Sequence, residues 1–145
     1  MKNLDDCKQY AYPKVYLEQI VETQGKLFDY VIDNFPNADT EDFITNYMQS
    51  KTRSFIDKAD AYVCNMDAND LFSYFCKVDD YKIKKGKSLV GFMPNWIGQF
   101  YAHYQWQKNI SSSELIKKLP LDFVKSAYHG LHDLDLELAV EKINV

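Results

Sequence analysis

The sequence predicts an all-α fold: a single domain over residues 1–145, a bundle of six to seven helices with a long N-terminal helix. Three observations carry this. Apolar residues recur at three- and four-residue spacing through most of the chain, which is the helical period. The 5 glycines and 4 prolines are few and fall mostly where helices should start or stop. Strand-type alternation is confined to Tyr81, Ile83 and Leu89. A chain of 145 residues reads as one domain and is long enough to bury about 70% of its unfolded surface without staples.

The first helix runs from Pro13 to Phe35. Proline suits a first helical position because its missing N–H would be unpaired there anyway. Val15, Tyr16, Ile20, Leu27, Phe28, Val31, Ile32 and Phe35 keep the period, and Pro36 disfavours helical backbone at Phe35. Such a helix is about 35 Å long. A second helix opens at Asp39 or Thr40, with Glu41 and Asp42 favourable to the dipole in its first turn, and continues to Cys64. Thr52-Arg53-Ser54 interrupts its apolar face but holds no breaker. Asp67 caps a third helix carrying Leu71, Phe72 and Phe75. Residues 79–92 are irregular and read as an exposed loop, with a short hairpin near 81–90 as the alternative. Pro94 begins a helix to about Gln107. Ser111 to Glu114 fits a capping box for a short helix ending before Pro120. Leu121, Val124, Tyr128 and Leu131 mark the next helix, with Gly130 expected as its left-handed C-terminal residue. The last helix opens near Asp133 or Asp135. Gly25 and Gly98 lie inside helical patterns, where each costs about 1 kcal/mol against alanine, so each marks close helix packing.

Composition narrows the function. The net charge is -4, and Arg53 is the sole arginine among 17 basic residues. Phosphate and guanine readout favours arginine's planar fork, so the composition argues against direct nucleic-acid binding. The 3 cysteines, Cys7, Cys64 and Cys76, are scattered and odd in number, as expected of small buried hydrophobes in a reducing compartment. Met1 to Asp6 contain no apolar segment of the signal-peptide kind, and no apolar run approaches the ~20 residues of a membrane helix. A cytoplasmic location and no membrane partner are expected. The oligomeric state is left open and is compatible with a homodimer.

No catalytic motif assembles along the chain. There is no Gly-x-Ser-x-Gly elbow, and no cysteine has a histidine near it in sequence. Gly86-Lys87-Ser88 ends like a phosphate loop, but position 81 is Tyr81 where that motif needs glycine. His129, His132 and Asp133, with His103 upstream, form a candidate transition-metal set for a metal-assisted hydrolase. Capping and dipole roles account for the same residues. The His-Asp phosphohydrolase pattern also requires a later aspartate on another helix, which this chain lacks. Lys82, Lys84, Lys85 and Lys87 form the one basic cluster and read as a solvated loop.

The segment from Trp96 to Trp106 is the most unusual. Trp96, Phe100, Tyr101, Tyr104 and Trp106 are either the core of a helix packed on several sides or an aromatic groove that binds a partner. Trp96-Ile97-Gly98, Tyr104-Gln105-Trp106, Ser113-Glu114-Leu115-Ile116, Pro120-Leu121, Tyr128 and Leu131-His132-Asp133 together resemble a set of small uncharacterised bacterial helical proteins. That resemblance covers the last third of the chain. Some of those proteins are encoded beside toxin-like ADP-ribosyltransferases, which implies an antitoxin or accessory role. The expected function is a helical protein-binding module, with a protein partner and no cofactor.

Overall fold

A computed structural model describes residues 9–143. Met1 to Asp6 and Cys7 therefore lie outside the described residues. Among the described residues there are nine α-helices and no strand, so the all-α expectation holds. They are α1 (Leu17–Asn34), α2 (Thr40–Met48), α3 (Lys51–Asp57), α4 (Ala61–Cys64), α5 (Ala68–Val78), α6 (Met93–Lys108), α7 (Ser112–Lys118), α8 (Leu121–Leu131) and α9 (Leu136–Glu141). A 3-10 turn, Lys14–Tyr16, leads into α1. None of these helices is long and apolar enough to cross a membrane.

The helix count exceeds the expected six to seven because the second predicted helix is three. Ser50 accepts a hydrogen bond from the Arg53 amide and starts α3. Asp60 accepts one from the Val63 amide and starts α4. Asp79, distant in sequence, adds a second cap by accepting from the Lys51 amide at 2.8 Å and the Thr52 hydroxyl at 2.6 Å. Ala59 takes the left-handed backbone (φ 56) that turns the chain between α3 and α4. Each break re-aims the next segment, so Tyr47, Thr52, Ile56 and Val63 are all buried.

Helix α6 is the shaft of the molecule. It packs on α1, α7, α8 and α9 and buries residues around most of its circumference. Helix α1 runs antiparallel to it. The Ala11 amide meets the Trp106 carbonyl at one end, and Asn95 donates to Asp29 at 2.6 Å towards the other. Between these points the two helices touch through their glycines. A β-carbon on Gly98 would lie 2.6 Å from the Gln24 carbonyl oxygen and 3.1 Å from the Gly25 α-carbon. The expected close packing at Gly25 and Gly98 is a single crossing in which each glycine admits the other helix.

Two local expectations are corrected. No hairpin forms near 81–90; among the described residues the segment makes one antiparallel bridge, Ala38 to Lys85, across to the α1–α2 turn. Its donors and acceptors are used by that turn instead, through Asp39 N to Lys84 O at 2.8 Å and Gly86 N to Asn37 O at 3.0 Å. Gly130 is not a left-handed stop. It sits within α8, which runs on to Leu131 and is capped by His132, whose amide bonds back to the Tyr128 carbonyl.

Candidate functional site

The five rings proposed to line an aromatic groove lie inside. Trp96, Phe100, Tyr101, Tyr104 and Trp106 are each at most 4% exposed. Trp96 stacks on Phe100 at 4.8 Å and meets Tyr128 edge-on. Tyr101 donates to the Leu119 carbonyl at 2.7 Å, and the Trp106 indole N–H to the Tyr12 carbonyl at 2.7 Å. Tyr10 covers Trp106 with a stacked ring at 4.1 Å. The groove reading is corrected: neighbours around most of the circumference of α6 take up its aromatic faces, so the five rings belong to the core.

The candidate metal set does not assemble either. Among the described residues no group of three or more His, Cys, Asp or Glu side chains is placed to hold a metal ion. His132 stacks on Tyr128 at 4.6 Å, and its Nδ1 lies 2.9 Å from the Tyr128 carbonyl oxygen. Its Nε2 faces the Asp133 carboxylate at 3.3 Å. His129 packs edge-on against the same Tyr128 ring. His103 belongs to a different place, beside Trp106 in a cleft of about 590 Å³ that also holds Glu18 and Glu137. Burial holds the His103 imidazole below its usual value, with Glu137 partly countering. His129 and His132 thus share the Tyr128 ring, whereas His103 stands apart beside Trp106, its buried Nδ1 without a hydrogen-bond partner among the described residues.

What the structure gathers is different. Arg53 is buried, its side chain 1% exposed, and its Nη1 pairs with Asp57 at 2.7 Å one helical turn on. Asp57 also accepts from the Ser112 amide at 2.8 Å and the Ser112 hydroxyl at 2.6 Å, so one carboxylate joins α3 to the start of α7. Among the described residues Arg53 Nη2, Gln105 Oε1 and the Tyr12 hydroxyl have no hydrogen-bond partner. The Arg53 charge reaches Tyr12, Tyr47 and Cys64. Burial nevertheless pushes the Cys64 thiol up to about 11, with Arg53 only partly countering. Cys64 is therefore a protonated thiol at neutral pH, not an activated nucleophile.

Cys64 in turn lines a mostly apolar pocket of about 270 Å³ between the start of α1 and α4, with Pro13, Tyr16, Ile20, Ala59 and Ala61; Gln19, Lys58 and Asn65 complete the lining. Tyr16 is 52% exposed, and two residues adjoining the lining, Val15 and Tyr62, are 80% and 72% exposed. Sequence reasoning missed both features. The i, i+4 spacing of Arg53 and Asp57 was a readable signal for the ion pair. The pocket joins segments far apart in the chain and had none.

Comparison of the chain with family models, with curated proteins and with solved structures finds no match. The class of the protein therefore rests on its own geometry: an all-α domain with a filled aromatic core and a small apolar pocket at its surface.

Proposed function

We propose that this chain is a helical protein-binding module, and that the pocket between α1 and α4 receives an apolar side chain of its partner. The observation that carries the reading is Tyr16. It forms part of the pocket wall while half of it faces water, next to exposed Val15. Tyrosine in such a position brings a large amphipathic contact area at small entropic cost, and interface anchors concentrate in rings of this kind. A volume of about 270 Å³ suits one side chain better than a drug-sized ligand. The resemblance to proteins encoded beside toxin-like ADP-ribosyltransferases makes the product of an adjacent gene the first partner to test.

The experiment compares tagged wild type with Tyr16→Glu/Tyr62→Glu as bait, against native lysate and against the adjacent gene product. Both positions are exposed, so the variant should fold. The expected result is one partner at stoichiometric level with wild type and at least about tenfold less with the variant, as loss of an interface anchor implies. No partner above background at several salt concentrations, or equal recovery by both baits, overturns the reading.

A further inference from the structure

Residues 81–92 have no regular structure, yet they are held. Tyr81 donates to Asp42 at 2.9 Å and stacks on Phe75 at 5.0 Å. Ile83 and Leu89 pack on the core. The backbone bonds to the α1–α2 turn through Lys84, Gly86 and Lys87. The approach is close enough that a β-carbon on Gly86 would lie 2.5 Å from the Asp39 β-carbon. Thr40 completes the attachment, accepting from the Leu89 amide at 3.2 Å.

With those side chains turned in, Lys82, Lys84, Lys85 and Lys87 are all exposed. Lys84 lies 3.6 Å from Asp42; among the described residues the other three make no ion pair. Directly beyond them Val90 is 78% exposed and Phe92 54% exposed. Gly91 between them takes the left-handed backbone (φ 71) that sets this turn. A chain of net charge -4 thus concentrates four cations beside two exposed apolar side chains on a preformed loop.

We propose that the 82–92 loop docks an acidic, apolar-containing segment of a protein partner. The inference rests on the protein-binding reading and adds the chemistry of a second contact surface. Lysines supply charge without the planar fork that phosphate recognition favours, and the one arginine is buried. The neighbouring carboxylates are already engaged: Asp42 by Tyr81 and Lys84, Glu41 by Lys125, and Asp79 by the start of α3. An extended acidic segment can pair with the exposed lysines and set its apolar side chains against Val90 and Phe92. Because the loop is already ordered, docking loses little of its entropy.

The test is fluorescence anisotropy of a labelled glutamate-rich peptide carrying leucines, at low salt, against the full chain. Single-stranded oligonucleotide and phosphatidylserine vesicles serve as competing probes. Wild type should bind the peptide saturably, and more weakly as salt rises. The Lys82→Gln/Lys84→Gln/Lys85→Gln/Lys87→Gln variant should lose at least about tenfold in affinity. Val90→Ser/Phe92→Ser should weaken binding at an unchanged salt dependence. All six side chains are exposed, and melting curves should confirm that both variants fold. No peptide binding at low salt, equal affinity of the lysine variant, or tighter binding of oligonucleotide or vesicles overturns the proposal. The Tyr16→Glu/Tyr62→Glu variant leaves this loop intact, so failure of the loop and failure of the pocket reading are separate results.

Discussion

Removing the Asp57 carboxylate should unseat one corner of the fold. In Asp57→Ala, Arg53 remains buried at 1% side-chain exposure with its charge unpaired. Breaking a buried pair from one side costs about 3–5 kcal/mol. The Ser112 amide and hydroxyl also lose their acceptor at the start of α7. A loss of this size lowers the melting temperature by roughly 10–15 °C in a domain this large. Arg53→Met should cost less, about 1–3 kcal/mol, because Asp57 keeps both Ser112 donors and some access to water. The double variant Arg53→Met/Asp57→Ala removes both charges and should be more stable than the sum of the single losses by at least about 1 kcal/mol. Urea unfolding followed by circular dichroism measures all three. An Asp57→Ala loss below about 1 kcal/mol, or strict additivity in the cycle, would refute the reasoning.

Two further predictions follow from the glycines and His103. Gly98→Ala places a methyl group 2.6 Å from the Gln24 carbonyl oxygen, so it should destabilise by about 1–3 kcal/mol despite the better helix propensity of alanine. At Gly130 an added β-carbon meets nothing within 4 Å, so Gly130→Ala should stabilise by about 0.5–1 kcal/mol. Equal thermal shifts for the two variants would contradict the assigned crossing. For His103, burial lowers the folded-state pKa below 6.5, so as pH falls through that value the unfolded chain takes up a proton before the native one does. Its contribution is present above pH 6.5 and lost below it, and a His103→Gln variant should show a shallower fall in stability between pH 7 and 5. Parallel curves for the two proteins would rule this out.

Helix boundaries set by neighbouring residues were legible in the chain. The Phe35-Pro36 junction ends α1, Asp67 caps α5 by accepting from the Asp70 amide, and Ser111 caps α7 by accepting from Glu114. The division of residues 40–64 was only half legible. Ser50 and Asp60 are ordinary caps, but the decisive help at α3 comes from Asp79, which no local pattern announces. Gly130 misled because its residue type suits a helix stop, while the Tyr128 carbonyl and His132 continue α8 past it. The aromatic density of α6 correctly marked a helix important to the fold. Whether those rings faced water or core depended on where α1, α7, α8 and α9 lie, which is a property of the assembled chain. The same holds for the pocket at Tyr16, whose walls come from two stretches separated by most of α1 and by all of α2 and α3.

The meeting of Gly25 with Gly98 has a kinetic side. Many small helical bundles fold fast because successive helices pack on one another and little chain must be gathered for each contact. Here α1 finds its main partner only after α2 to α5 have been traversed. Bringing those ends together carries a loop-closure entropy that grows with the logarithm of the enclosed length. For an all-α protein of this size, that arrangement sets refolding towards the slow end of the helical range.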